Sequence, residues 1–375
     1  MILRLLLFFI AILPSLVEAC QVPVFRYALE RWEADPYQLT IYHRGEATPT
    51  LTETINTIRR EADNSNLAVE TLDLESEAAE AIFDLPDVDE SLLPWSRLTA
   101  PEKEGLEPVV WEGPASLEHL SARWRSPLRQ KIVQELTSGT SAAWILVEGA
   151  DPEENDGLEK ELEQALDKVT PTLKISDQVV PLEEAGRVAS ERATPLEMDD
   201  VLRSRVPLKI SFAHHRLSRD QAGESGFLDP IRTRFPDRWA TGQPLLFPVF
   251  GRGRILDVIP GTAIGEDTIA AACRYLCGAC SCQVKSENPG MDLLIEADWA
   301  SVLDDQVFVV EREAPPLEGV GSLLTTDESV PSPPTPPEAA SVPSSFFKLA
   351  TGVGLVLVLV VVVAILGSWI VTRRS

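Results

Sequence analysis

The sequence predicts an α/β protein built as two units, and three observations carry that prediction. Helical and strand periodicities alternate between Val24 and Leu74, again between Leu128 and Lys168, and a third time between Pro207 and Leu276. Acidic, proline-bearing stretches with no clear period separate these passages. A chain of 375 residues is long enough for one large or two ordinary domains.

Each element follows from its pattern. Val24, Phe25, Ala28, Leu29 and Trp32 recur at helical spacing, and Ala34-Asp35-Pro36 ends that helix. Tyr37 to His43 alternates in the strand manner, with Leu39 and Ile41 on one face. A second amphipathic helix runs from Thr50 to Ala62 and a second strand from Leu67 to Leu74. Ser76 to Pro114 reads as irregular. Then come a helix near Leu128 to Leu136, a turn at Ser138-Gly139 and a fully apolar strand from Ala143 to Val147. Leu158, Leu162 and Leu166 mark the next helix, from about Glu154 to Lys168. Ile175 to Val206 is acidic and unsettled, and the domain boundary is expected inside it. Beyond it, Pro207 to His214 reads as a strand and Gly226 to Phe235 as a helix. Leu245 to Gly251 and Ile255 to Ile259 read as a hairpin turning through Gly251-Arg252-Gly253-Arg254, followed by a helix from Glu266 to Leu276.

The two ends predict location. Residues 1–19 read as a secretory signal, with Arg4, an apolar stretch from Leu5 to Leu13, and the small-residue exit Val17-Glu18-Ala19. Leu349 to Val371 is an apolar run about 34 Å long as a helix, flanked by Lys348 before it and Arg373 and Arg374 after it. The predicted arrangement is therefore a single pass through the cell membrane, with an extracytoplasmic domain and a cytoplasmic tail. Domain limits follow: 1–19 signal, 20–176 first α/β unit, 177–206 acidic connector, 207–312 second unit, 313–347 proline-rich linker, 348–371 membrane helix, 372–375 tail. The formal charge of −25 would repel nucleic acid and anionic lipid surfaces, so neither is an expected partner.

Two resemblances add to this reading. The order strand, helix, hairpin, helix after Pro207 resembles the C-terminal half of a thioredoxin fold, and the first unit is similar to a second, degenerate copy. Three segments, CQVPVFRYALERW from Cys20, FPVFGRGR from Phe247 and CSCQVKSENPGMDLL from Cys280, resemble an uncharacterised family of exported, membrane-anchored bacterial proteins. That resemblance implies architecture and location and no activity.

Five cysteines are the candidate chemistry: Cys20, and the cluster Cys273, Cys277, Cys280 and Cys282. Four sulfurs so close can form disulfides, hold zinc or another thiolate-bound metal, or exchange electrons. Cys277-Gly278-Ala279-Cys280 has dithiol spacing but follows a helix, where the dipole opposes thiolate formation, with Gly278 as the expected C-cap. Cys280-Ser281-Cys282 would be the labile pair if the chain were a thiol-disulfide oxidoreductase. Cys20 is a candidate lipidation site after Leu16-Val17-Glu18-Ala19. His214 and His215 end a strand on opposite faces, and one of them is a candidate metal ligand beside the cluster. Arg252 and Arg254 are candidate partner contacts. No serine elbow, HExxH, phosphate loop or dinucleotide fingerprint occurs. The expected function is a non-catalytic binding or assembly module for a membrane-associated protein partner; the alternative is a thiol-redox or metal-handling protein.

Overall fold

Helix α1 (Val24–Arg31) begins after Pro23 and leads into strand β1 (Tyr37–His43). The alternation of β1 places Tyr37, Leu39 and Ile41 on one buried face. Thr48 starts α2 (Pro49–Ala62), its Oγ1 accepting from Leu51 N at 3.2 Å, and Pro49 fits the first turn where no donor is needed. Strands β2 (Leu67–Asp73), β3 (Trp95–Thr99) and β4 (Val109–Pro114) follow, then α3 (Leu117–Trp124). The sheet runs β2-β1-β3-β4, with β1 parallel to β2 and antiparallel to β3, and β3 antiparallel to β4. Ile55 and Ile58 of α2 and Leu120 and Trp124 of α3 cover its inner face.

A second sheet begins after α4 (Pro127–Thr137) with β5 (Ala142–Val147). Helix α5 (Pro152–Val169) crosses to β6 (Phe212–Leu217), and α6 (Ser225–Arg234) precedes β7 (Leu245–Phe250). After β8 (Arg254–Ile255) and β9 (Ile259–Pro260) come α7 (Glu266–Cys277), β10 (Met291–Asp292) and α8 (Trp299–Leu303). The strand order is β10-β8-β7-β5-β6, with β9 on β7. Within it, β6-β5-β7-β8 repeats the order and directions of β2-β1-β3-β4.

Both faces of this sheet are covered. Ala143, Ile145 and Val147 of β5 meet α4 and α6 through Leu128, Ile132, Phe227 and Ile231. Trp144 and Leu146, pointing the other way, meet α5 and α7 through Leu162, Leu166, Ile269 and Cys273. A strand buried on both faces has no polar side to alternate with, which is why AAWILV reads as a continuous apolar run. This is a computed structural model, and it describes residues 20–80, 89–102, 108–192, 196–279, 285 and 290–303. The fold is α/β, and all described residues belong to one compact unit.

Several expectations are corrected. The boundary at 177–206 does not separate the sheets, because β5 and α5, assigned to the first unit, supply the second sheet's central strand and its crossover helix. The irregular stretch Ser76 to Pro114 contains β3 and β4. The strand expected at Pro207 to His214 starts at Phe212, where pairing with Ala142 begins. Ile255 to Ile259 is two short strands rather than one: β8 pairs Val249 and Phe250, and β9 pairs Leu245 and Leu246. Among the described residues no helix is long and apolar enough to cross a membrane. The signal, the proline-rich linker and the run from Leu349 to Val371 lie outside the described residues.

Candidate functional site

Cys20, Cys273 and Cys277 carry free thiols, and all three are buried. Cys273 faces the core against α5, while Cys277, one turn later, packs with Cys20, Val22 and Leu276. Burial pushes the Cys273 and Cys277 thiols up to about 12, because an ionised sulfur there would lose its hydration. Burial also raises Cys20, partly offset by the backbone N–H of Val22. Thiols held protonated in this way are poor nucleophiles and poor metal ligands. Cys280 and Cys282 lie outside the described residues. Among those described, no group of three or more His, Cys, Asp or Glu side chains is placed to hold a metal ion.

Gly278 is the C-cap of α7, as expected. Its φ of −70° and ψ of 158° are extended, its carbonyl accepts Val24 N at 3.0 Å, and Ala279 bridges Pro23. The end of α7 is thus tied to the start of α1. Helix α1 is itself a hub. Arg26 and Glu30 form a buried ion pair at 2.8 Å, and Arg26 also donates to the carbonyls of Ser204 and Val206. Glu30 accepts from the backbone of Arg203 and Ser204, so the acidic connector is fastened across the helix. On another side Gly251, at φ 59°, lies so close that a Cβ would stand 2.8 Å from Ala28 Cβ.

Next to this hub a carboxylate is enclosed by residues from all three resemblance segments. Asp292 is 3% exposed. Its Oδ1 accepts Arg254 Nη1 at 3.1 Å, its Oδ2 accepts the backbone N of Asp35 at 2.8 Å, and Lys285 Nζ pairs with the same Oδ2. Lys285 also donates to Asp35 Oδ1 at 2.8 Å and to the Glu33 carbonyl. Tyr37 donates its hydroxyl to the Asp292 carbonyl at 2.9 Å, and Arg254 stands 6.0 Å from the Trp32 ring centroid. Charge inside the cluster balances: two cations, Arg254 and Lys285, face two carboxylates, Asp35 and Asp292. Such an arrangement clamps segments together.

No family model matches this chain, and no curated protein matches it in sequence.

The remaining expected sites are used internally. Arg252, read as a partner contact, donates to the carbonyls of Leu29 and Glu30, and Arg254 is buried against Asp292. The tight turn aims both inward, toward α1 and β10, so neither projects as expected. His214 pairs with Glu163 of α5 at 3.2 Å and His215 with Glu135 of α4 at 2.8 Å. The histidines do face opposite helices, and each meets a carboxylate; Cys273 and Cys277 are the described cysteines of the cluster, and neither is the partner in these pairs.

Sequence reasoning missed Asp35, Trp32, Lys285 and Asp292 as a group. All but Asp35 lie inside the resemblance segments, and Asp35 follows the first by three residues.

Proposed function

We propose that this chain is a membrane-anchored, extracytoplasmic binding or assembly module built from two thioredoxin-like units that have no thiol at their reactive corners. The observation that carries the reading is the repeated strand order combined with the residues at each strand-to-helix crossover. Where a thioredoxin-like unit sets its reactive dithiol, at the start of the helix after its first strand, the first unit has Arg44-Gly45-Glu46-Ala47-Thr48. The second has Glu148-Gly149-Ala150-Asp151. Fold-level likeness alone assigns no activity, so the reading rests on the corners.

Both corners carry structural contacts. In the first, Arg44 pairs with Glu90 at 2.9 Å, and Asp73 accepts from Gly45 N at 2.8 Å. In the second, the buried Asn155 closes the loop by exchanging hydrogen bonds with Gly149 at 2.8 and 3.1 Å. Arg216 gathers Glu148, Asp156 and Glu159 around it at 2.5–3.0 Å. Side chains committed in this way support a rigid surface for a partner and supply no nucleophile. The partner is a protein at the same membrane, reached across the proline-rich tether.

Cross-linking in native membranes tests this directly. A stable protein adduct that persists when Cys280 and Cys282 are both changed to Ser is the expected result. Disulfide-exchange turnover by the wild-type chain, lost in that double variant, would instead install the redox reading.

A further inference from the structure

We infer that Cys20 is a core thiol rather than a lipid anchor, and that cleavage of the Ala19–Cys20 bond creates a mature N-terminus seated against Asp199 and Asp200. This rests on the export reading above. Cys20 is only 6% exposed, packs with Val22, Leu202, Leu276 and Cys277, and donates its thiol to the Asp199 carbonyl at 3.1 Å. The next residue is held as firmly: Gln21 N donates to Oδ1 of the buried Asp200 at 2.6 Å. A thioether-linked lipid needs this sulfur at the surface, so attachment would pull Cys20 out of the cluster and break both contacts.

The surroundings suit an ammonium instead. Arg31 and the Asp200 and Asp199 carboxylates act on Cys20, and Arg31 is already engaged by the carbonyls of Met198, Asp199 and Val201, while the Asp200 carboxylate reaches the adjoining Gln21 N. Hydrolysis by a membrane signal peptidase breaks the Ala19–Cys20 amide. Water supplies the hydroxyl to the Ala19 carbonyl carbon and a proton to the Cys20 nitrogen, which a second proton converts to ammonium. The new positive charge then faces the two carboxylates, as a cation does beside opposite charge. The acidic connector thereby acquires a role as the dock for the processed end.

The test is the mass of the N-terminal peptide from the full chain purified out of its membrane. The expected peptide begins at Cys20, with an unmodified thiol that alkylates only after denaturation. A diacylglyceryl adduct on Cys20 would overturn the inference while leaving export intact. A full-length mass retaining residues 1–19 would overturn the export reading and the inference together. The Cys20→Ser chain should be processed and membrane-held like the wild type; accumulation of its precursor would contradict the proposal. For the dock, selective acetylation of the α-amino group should lower the melting midpoint of the mature chain and leave that of the Asp199→Asn/Asp200→Asn double variant unchanged. Equal shifts in both, or none in either, would remove the seated ammonium.

Discussion

Strand β5 of the second sheet has all six residues buried, whereas β2 of the first sheet has none. The two strands belong to sheets of the same order and directions, yet β5 sits at the centre with helices on both faces and β2 lies at an edge. The first sheet buries one clear stripe, Tyr37, Leu39 and Ile41, beneath two helices. Burial therefore follows a strand's position in its sheet and the helices that cover it. The second sheet packs against α1 and carries the Asp292 cluster, to which Tyr37 ties the first.

The sharpest way to break this comparison is to separate the halves where the sequence suggests. A chain of residues 207–303 lacks β5, α5 and α1, and should show no cooperative thermal transition by circular dichroism, while residues 20–303 should show one. A point change in the second sheet comes next. Trp144→Ala should cost roughly 3–5 kcal/mol in denaturant unfolding, because Trp144 is fully buried between β5 and its helices. Val69→Ala, on the half-buried edge β2, should cost no more than about 1 kcal/mol by the same measurement. Equal losses would erase the distinction between the sheets.

Asp292→Asn should destabilise by about 3 kcal/mol, since it leaves the buried Arg254 facing a neutral partner. Alkaline titration sharpens the contrast further. Cys273 and Cys277 ionise near 9 when unfolded and at about 12 when folded, so the native state holds these protons longer. Their contribution is complete below about pH 9 and is lost as pH rises toward about 12. Tyr37, also raised by burial, adds in the same sense. Replacing Cys273 with Val should make that decline shallower. A small effect also belongs beside the first sheet: Thr48→Ala removes the cap of α2 and should cost about 1 kcal/mol in denaturant unfolding.

Much of the second sheet was legible because double burial writes itself as apolar runs, AAWILV and LLFPVF. Strands β3 and β4 were not, since WSRLT and VVWEGP mix charge, glycine and proline and are held by pairing with β1 and with each other. The domain boundary failed for a related reason. Periodicity identifies β5 as a strand, but its partners are 65 or more residues further along the chain, at Phe212 to Leu217 and Leu245 to Val249. At the candidate site the cysteines were visible as residues while their burial was not. Arg252 and Arg254 looked like exposed turn residues because nothing local reveals that α1 and Asp292 lie against them.

The most direct test of the central claim is alkylation of the native, unreduced protein followed by peptide mass mapping, repeated in denaturant. Thiols that are core groups predict no label on Cys20, Cys273 or Cys277 in the native state and full label on all three once the chain is unfolded. Rapid native labelling of any of them would contradict the account and return these sulfurs to candidate chemistry.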